Sequence, residues 1–155
     1  MAVSARLGRF LRRHRVLGAD TMVFAYHLQM HPRYVGATRR VLNAWEAGSH
    51  RGVASVLSLS EILVKPLRDA DHTAVADYRR LLTRFPGLRL LEVSQDIAEA
   101  AARIRAAHGL ALPDAVLIAT AIAGGATGFL TNDPAFKRLP DIEALLLDEV
   151  APGRR

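Results

Sequence analysis

Four carboxylates stand where strand-like runs end or helix-like runs begin: Asp20 in VLGADTMVFAY, Glu61 in VASVLSLSEILVKPL, Asp114 in LALPDAVLIATAIA and Asp133 in GFLTNDPAFKRL. Each has a local explanation. Asp20 can N-cap the helix that follows it, and Glu61 falls three residues after Ser58, the spacing of a capping box. Asp114 follows Pro113 as a first-turn anion facing the helix dipole, and Asp133 precedes Pro134 as the first residue of a type I turn. Jointly they say more. Asp20, Glu61 and Asp133 each fall at the carboxyl end of an expected strand, the edge where ligand sites form in open parallel sheets. Asp114 sits in an apolar helix, where a solvated surface acid is out of place. Two carboxylates about 4 Å apart repel by roughly 4 kcal/mol at an effective dielectric of 20, so four that converge need protons or a cation. Oxygen donors alone select Mg²⁺ or Mn²⁺ over zinc, and such a site suits phosphoryl transfer or phosphodiester hydrolysis.

Rival chemistries find little support. The chain has no cysteine, which removes disulfides, thiolate nucleophiles, zinc ribbons and iron–sulfur clusters together. His27 and His31 have the i, i+4 spacing of a helical zinc pair, but Leu28 replaces the general-base Glu and Pro32 breaks the helix. Gly124, Gly125 and Gly128 match neither a dinucleotide fingerprint nor a P-loop. Ser55, Ser58 and Ser60 lack a marked base and a G-x-S-x-G elbow. An aspartyl-phosphate phosphatase also starts from an Asp after its first strand, yet its second acid would fall on Met22.

The elements that must position the acids alternate in period. Helical patterns cover residues 4–14, 21–30, 34–47, 59–67, 70–84, 95–108 and 113–123, and strand-like runs cover 15–19, 52–56, 88–93, 127–130 and 144–147. Strands separated by helices predict a parallel sheet with helices on both faces, an α/β fold. At 155 residues the chain is one domain, and half its residues are hydrophobic.

The net charge of +6 lies in the tails. Arg6, Arg9, Arg12, Arg13, Arg15, Arg154 and Arg155 account for it, and without them 14 basic residues face 15 acidic ones. Residues 1–15 read as a basic arm ahead of a domain spanning 16–150, or as residues upstream of a true start near Val16. No export signal or membrane span is evident, and a cytoplasmic location is expected.

The motifs also carry a resemblance. D-T-x-V at Asp20–Val23, S-x-x-S-x-S-E at Ser55–Glu61, L-P-D-A-x-x-x-A-T-A at Leu112–Ala121 and T-N-D-x-x-F at Thr131–Phe136 resemble PIN-domain ribonucleases, in the order and spacing of the VapC-type toxins of bacterial toxin–antitoxin pairs. The resemblance covers roughly residues 16–148. It implies an α/β/α sandwich on a mainly parallel sheet and an endoribonuclease dependent on Mg²⁺ or Mn²⁺. RNA is then the substrate, a cognate antitoxin protein the partner, and a homodimer the assembly. Carried over, Asp20, Glu61, Asp114 and Asp133 are the catalytic, metal-holding acids, with Thr21 and Thr131 orienting ligands or water. Met22 departs from the family's small polar residue at that place. A catalytically silent PIN-like binding module is the alternative. Phe24, Tyr26, Leu28, Val35 and Trp45 are expected to contribute to a groove for an antitoxin segment.

Overall fold

The computed structural model describes residues 2–153, with side chains from residue 5 onward; Arg154 and Arg155, the basic end of the chain, lie outside the described residues. Strands β1 (Val16–Ala19), β2 (Arg51–Ser55), β3 (Leu88–Leu91), β4 (Gly128–Thr131) and β5 (Glu143–Leu146) form one parallel sheet in the spatial order β3-β2-β1-β4-β5. Gly18 of β1 lies in register with Val53 on one side and Phe129 on the other. Around the sheet pack α1 (Ala2–Arg13), α2 (Thr21–Leu28), α3 (Val35–Glu46), α4 (Val56–Arg68), α5 (His72–Arg84), α6 (Gln95–His108) and α7 (Leu112–Ala123).

Side chains alternate across each strand, so one sheet supplies two cores. Leu17, Ala19, Leu130 and Leu145 meet α1, α2, α3 and α5 on one face. Phe129 and Ala144 meet α6 and α7 on the other. The result is the expected α/β/α sandwich.

Two elements differ from expectation. Helix α4 starts at Val56 rather than Leu59, because the Ser55 hydroxyl accepts the Leu57 N–H at 3.1 Å and caps it there. The expected capping box of Ser58 and Glu61 is thereby corrected. The helix expected over residues 4–14 forms as α1, and where the sequence suggested an arm ahead of the domain it buries Leu7, Phe10 and Leu11 in the first core. Arg13 pairs with Glu143 at the start of β5, and Arg6 pairs at 3.1 Å with Glu149, just beyond its end. Helix α1 therefore runs antiparallel to the edge strand β5 along its full length.

Close approach sets the spacing between layers. A Cβ on Gly18 would lie 2.6 Å from both Ala121 Cβ and the Phe129 ring, so only glycine lets α7 lie this near β1. Gly52 likewise leaves room for the Trp45 ring, which a Cβ would meet at 2.7 Å.

Candidate active site

Strand order fixes where a site can form. The chain enters the sheet at its centre, moves outward through β2 and β3, and returns on the other side of β1 as β4 and β5. The switch point is the seam between β1 and β4, and crevices open at the carboxyl ends of strands there. The Asp20 N–H donates to the Leu130 carbonyl at 2.8 Å, which closes the seam at that end.

The four expected acids reach this pole from four elements. Asp20 follows β1 and occupies the N-cap position of α2, but its carboxylate does not take the usual capping hydrogen bond from the second or third residue of that helix. It is half-buried, and its Oδ2 accepts the Thr131 hydroxyl at 3.0 Å. Thr131, fully buried at the end of β4, also accepts the Asp133 N–H on its Oγ1 at 3.0 Å. Asp133 is exposed and uses Oδ1 to cap the 3₁₀ turn Pro134–Arg138 through the Ala135 N–H at 2.9 Å. Asp114 is half-buried in the first turn of α7, the helix that Gly18 admits against the sheet.

Glu61 arrives differently from the sequence expectation. It lies exposed in the second turn of α4, beyond the carboxyl end of β2 rather than at it. The Thr21 hydroxyl is 2.8 Å from Glu61 Oε1 and 2.9 Å from Ser58 Oγ. Its single proton belongs with the carboxylate, the stronger acceptor, so the Ser58 hydroxyl completes the chain as donor to Thr21. Ser58 is wholly buried. Sequence reading offered it as a cap, and only the position of α2 reveals it as a prop for the Thr21–Glu61 pair. Asn132 was also missed: its Oδ1 accepts the Asp148 N–H at 2.9 Å and ties the loop after β4 to the residues after β5. Its place between Thr131 and Asp133 was the available signal.

Electrostatics couple the acids. Burial raises the Asp20 pKa above the usual carboxylate value; hydrogen bonds from the Thr131 hydroxyl and the Thr21 N–H oppose this, and the charges of Glu61 and Asp133 add to it. Burial also raises Asp114, helped by the charges of Asp20 and Asp133. Asp20, Asp114 and Asp133 thus share one field, with Glu61 joined through Asp20. Among the described residues, no three His, Asp or Glu side chains form a ready-made cage for an ion. The set nevertheless fits a hard divalent cation in kind: every donor is oxygen, and a cation relieves the repulsion that raises Asp20 and Asp114.

From Asp20 and Glu61 a groove of about 510 Å³ runs between α2, α4 and α5, lined by Met22, Ile62, Pro66 and Tyr78. Of the residues expected for a partner groove, burial removes Phe24 and Trp45. Phe24 and Trp45 are buried in the core at 0% and 1% exposure, and Tyr26 and Leu28 pack against it. Helical spacing marks apolar residues without telling which of two faces meets the sheet.

A parallel α/β/α sandwich with a carboxylate-lined crevice at its switch point defines a small domain built around an acidic site. The family model described as the PIN domain matches residues 6–142, and the chain belongs to that family. The match begins inside α1. No curated protein sequence matches the chain. Among solved structures, VapBC2 from Rickettsia felis bound to a promoter DNA fragment is similar at TM-score 0.68 and 16% identity, covering 84% of this chain and 98% of that one. A toxin–antitoxin complex from Klebsiella pneumoniae is similar at TM-score 0.64 and 22% identity, covering 81% and 94%. DNA-bound VapBC from Salmonella typhimurium follows at TM-score 0.60 and 19% identity, covering 84% and 97%. At these identities the likeness is one of fold.

Proposed function

We propose that the protein is a divalent-metal-dependent endoribonuclease and the toxin of a type II toxin–antitoxin pair. The observation that carries this reading is the shared field of Asp20, Asp114 and Asp133 at the switch point, with Glu61 coupled to Asp20. Membership of the PIN-domain family and the fold shared with toxin–antitoxin complexes support it.

Asp20, Asp114, Glu61 and Asp133 would hold Mg²⁺ or Mn²⁺. The bound ion supplies charge neutralisation at a phosphodiester and activation of water at neutral pH. The chain's own residues prepare the ground. Thr131 fixes the Asp20 carboxylate by its hydroxyl and, through Asp133 N–H, sets the loop that carries the fourth acid. Thr21, backed by Ser58, orients Glu61. The half-buried setting of Asp20 and Asp114 excludes part of the solvent, which strengthens every charge interaction in the crevice.

The groove beside Asp20 and Glu61 is proposed to receive a segment of the antitoxin. A basic side chain of that segment at the groove's acidic end would relieve the same repulsion as a metal does. A homodimer in the cytoplasm completes the reading, and no helix among the described residues is long and apolar enough to cross a membrane.

The test is cleavage of structured RNA by the purified protein in Mg²⁺, resolved on a sequencing gel. Asp20→Asn and Asp114→Asn should each lower the rate at least a hundredfold while the far-ultraviolet circular dichroism stays unchanged. Undiminished cleavage by either folded variant overturns the assignment.

A further inference from the structure

A crevice floored by carboxylates repels the polyanion it is proposed to cut, so affinity must come from cations placed off that floor. Outside the two tails the chain has slightly more acidic than basic residues. Helix α1 is where positive charge is both dense and fixed in place. It contains no acid, and its apolar residues Leu7, Phe10 and Leu11 anchor one side in the core while Arg6, Arg9, Arg12 and Arg13 are exposed.

The helix also has a defined direction relative to the site. Its Arg6 end pairs with Glu149, which follows β5 at the same carboxyl pole as Asp20 and Asp133. Its Arg13 end pairs with Glu143, at the opposite pole. The two ion pairs hold the ends of the helix, and the arginines between them are uncommitted: Arg9 and Arg12 make no ion pair with any described residue. Arg6, Arg9 and Arg13 line one cavity of about 170 Å³ together with Lys137. At this cavity the four cations Arg6, Arg9, Arg13 and Lys137 outnumber the two carboxylates Glu143 and Glu149, and Arg12 stands exposed on the same helix. A helix of 12 residues is about 18 Å long, several nucleotides of extended chain.

We infer that the exposed face of α1 is a backbone track for single-stranded RNA, which leads the strand from the acidic crevice along β5 to the far pole of the domain, with Arg9 and Arg12 as its phosphate contacts. The inference rests on the ribonuclease reading and adds where the substrate lies. Such contacts carry no sequence information; they set affinity and register.

Binding is measured by fluorescence anisotropy with labelled single-stranded RNAs of 15 and 4 nucleotides, of mixed sequence, in EDTA and over a salt series. The full chain is compared with the double variant Arg9→Glu/Arg12→Glu, both sites being exposed and outside the crevice. For the 15-mer the variant should bind roughly tenfold more weakly, and its plot of log affinity against log salt should flatten by about 1.4, the value for two lost phosphate contacts on a single strand. For the 4-mer the two proteins should differ little. In Mg²⁺ the variant should cleave the 15-mer with raised KM and unchanged kcat. Equal affinity and equal salt slope for the 15-mer overturn the track while leaving the ribonuclease reading intact. A wild-type protein that neither binds nor cleaves RNA overturns both. Loss of affinity for a polyglutamate peptide with RNA binding unchanged assigns the face to an acidic protein segment instead.

Discussion

Asp20 is held in a state that costs stability. Burial and the charges of Glu61 and Asp133 raise its pKa, and the Thr131 hydroxyl recovers only part of the loss. A carboxyl whose pKa is higher in the folded than in the unfolded chain is favoured by folding only while protonated. Its contribution is present below the unfolded value and is lost as pH rises through the folded one. Asp20→Asn, which keeps an acceptor for Thr131, should therefore melt at a higher temperature than the wild type at pH 7.5, by roughly 2–4 °C for each kcal/mol relieved. The gap should close as pH falls toward the ordinary carboxylate range. Mg²⁺ should raise the melting temperature of the wild type by mass action and close the gap from the other side. Scanning calorimetry at two pH values, with and without Mg²⁺, checks both; identical melting at pH 7.5 removes the electrostatic cost. The acids themselves were legible as residue types, since Asp114 stands out in an apolar helix. Their shared field was not, because it depends on strand order.

At the scale of elements, helix α7 reaches the crevice only because β1 offers no side chain to stop it. Gly18→Ala places a Cβ 2.6 Å from Ala121 and from the Phe129 ring, contacts that must be relieved by moving the helix or the ring. Overpacking of this kind costs about 1–3 kcal/mol. The same displacement carries Asp114 away from Asp20, so the variant should lose activity beyond what its folded fraction explains, as urea unfolding and cleavage rates measured together will show. Full activity per folded molecule means that α7 tolerates the shift. Element types were readable from periodicity, but the junction of β2 and α4 was not. Ser55 and Ser58 are equally good caps in sequence, and the choice falls to Ser55 because its backbone pairs with Leu91 of β3 up to the last residue of the strand. Glu61 then lies two turns along a helix instead of at a strand end.

Across the whole molecule, α1 changes what counts as the domain. Its helical period was legible over residues 4–14, but its arginines dominate a reading by charge and conceal that Leu7, Phe10 and Leu11 form a buried stripe. Phe10 is 1% exposed, and its ring lies 4.7 Å from that of His14, which itself contacts Thr127 at 2.9 Å. Phe10→Ala should cost about 3–5 kcal/mol, measured by denaturant unfolding. A loss below about 1 kcal/mol would return residues 2–13 to the status of a dispensable arm. The sheet order and the position of the crevice follow from the alternation of elements, whereas the packing of this first helix needed the edge strand β5 to be in place.

Trp45 is the only tryptophan in the chain, and it lies 1% exposed over Gly52, in the core and outside the lining of the acidic groove. The one indole of the molecule therefore reports from the core and away from the crevice. Its emission should follow the integrity of the sandwich and hold steady while metal or RNA titrates the carboxylates, so a change in it during a titration reads unfolding and not binding.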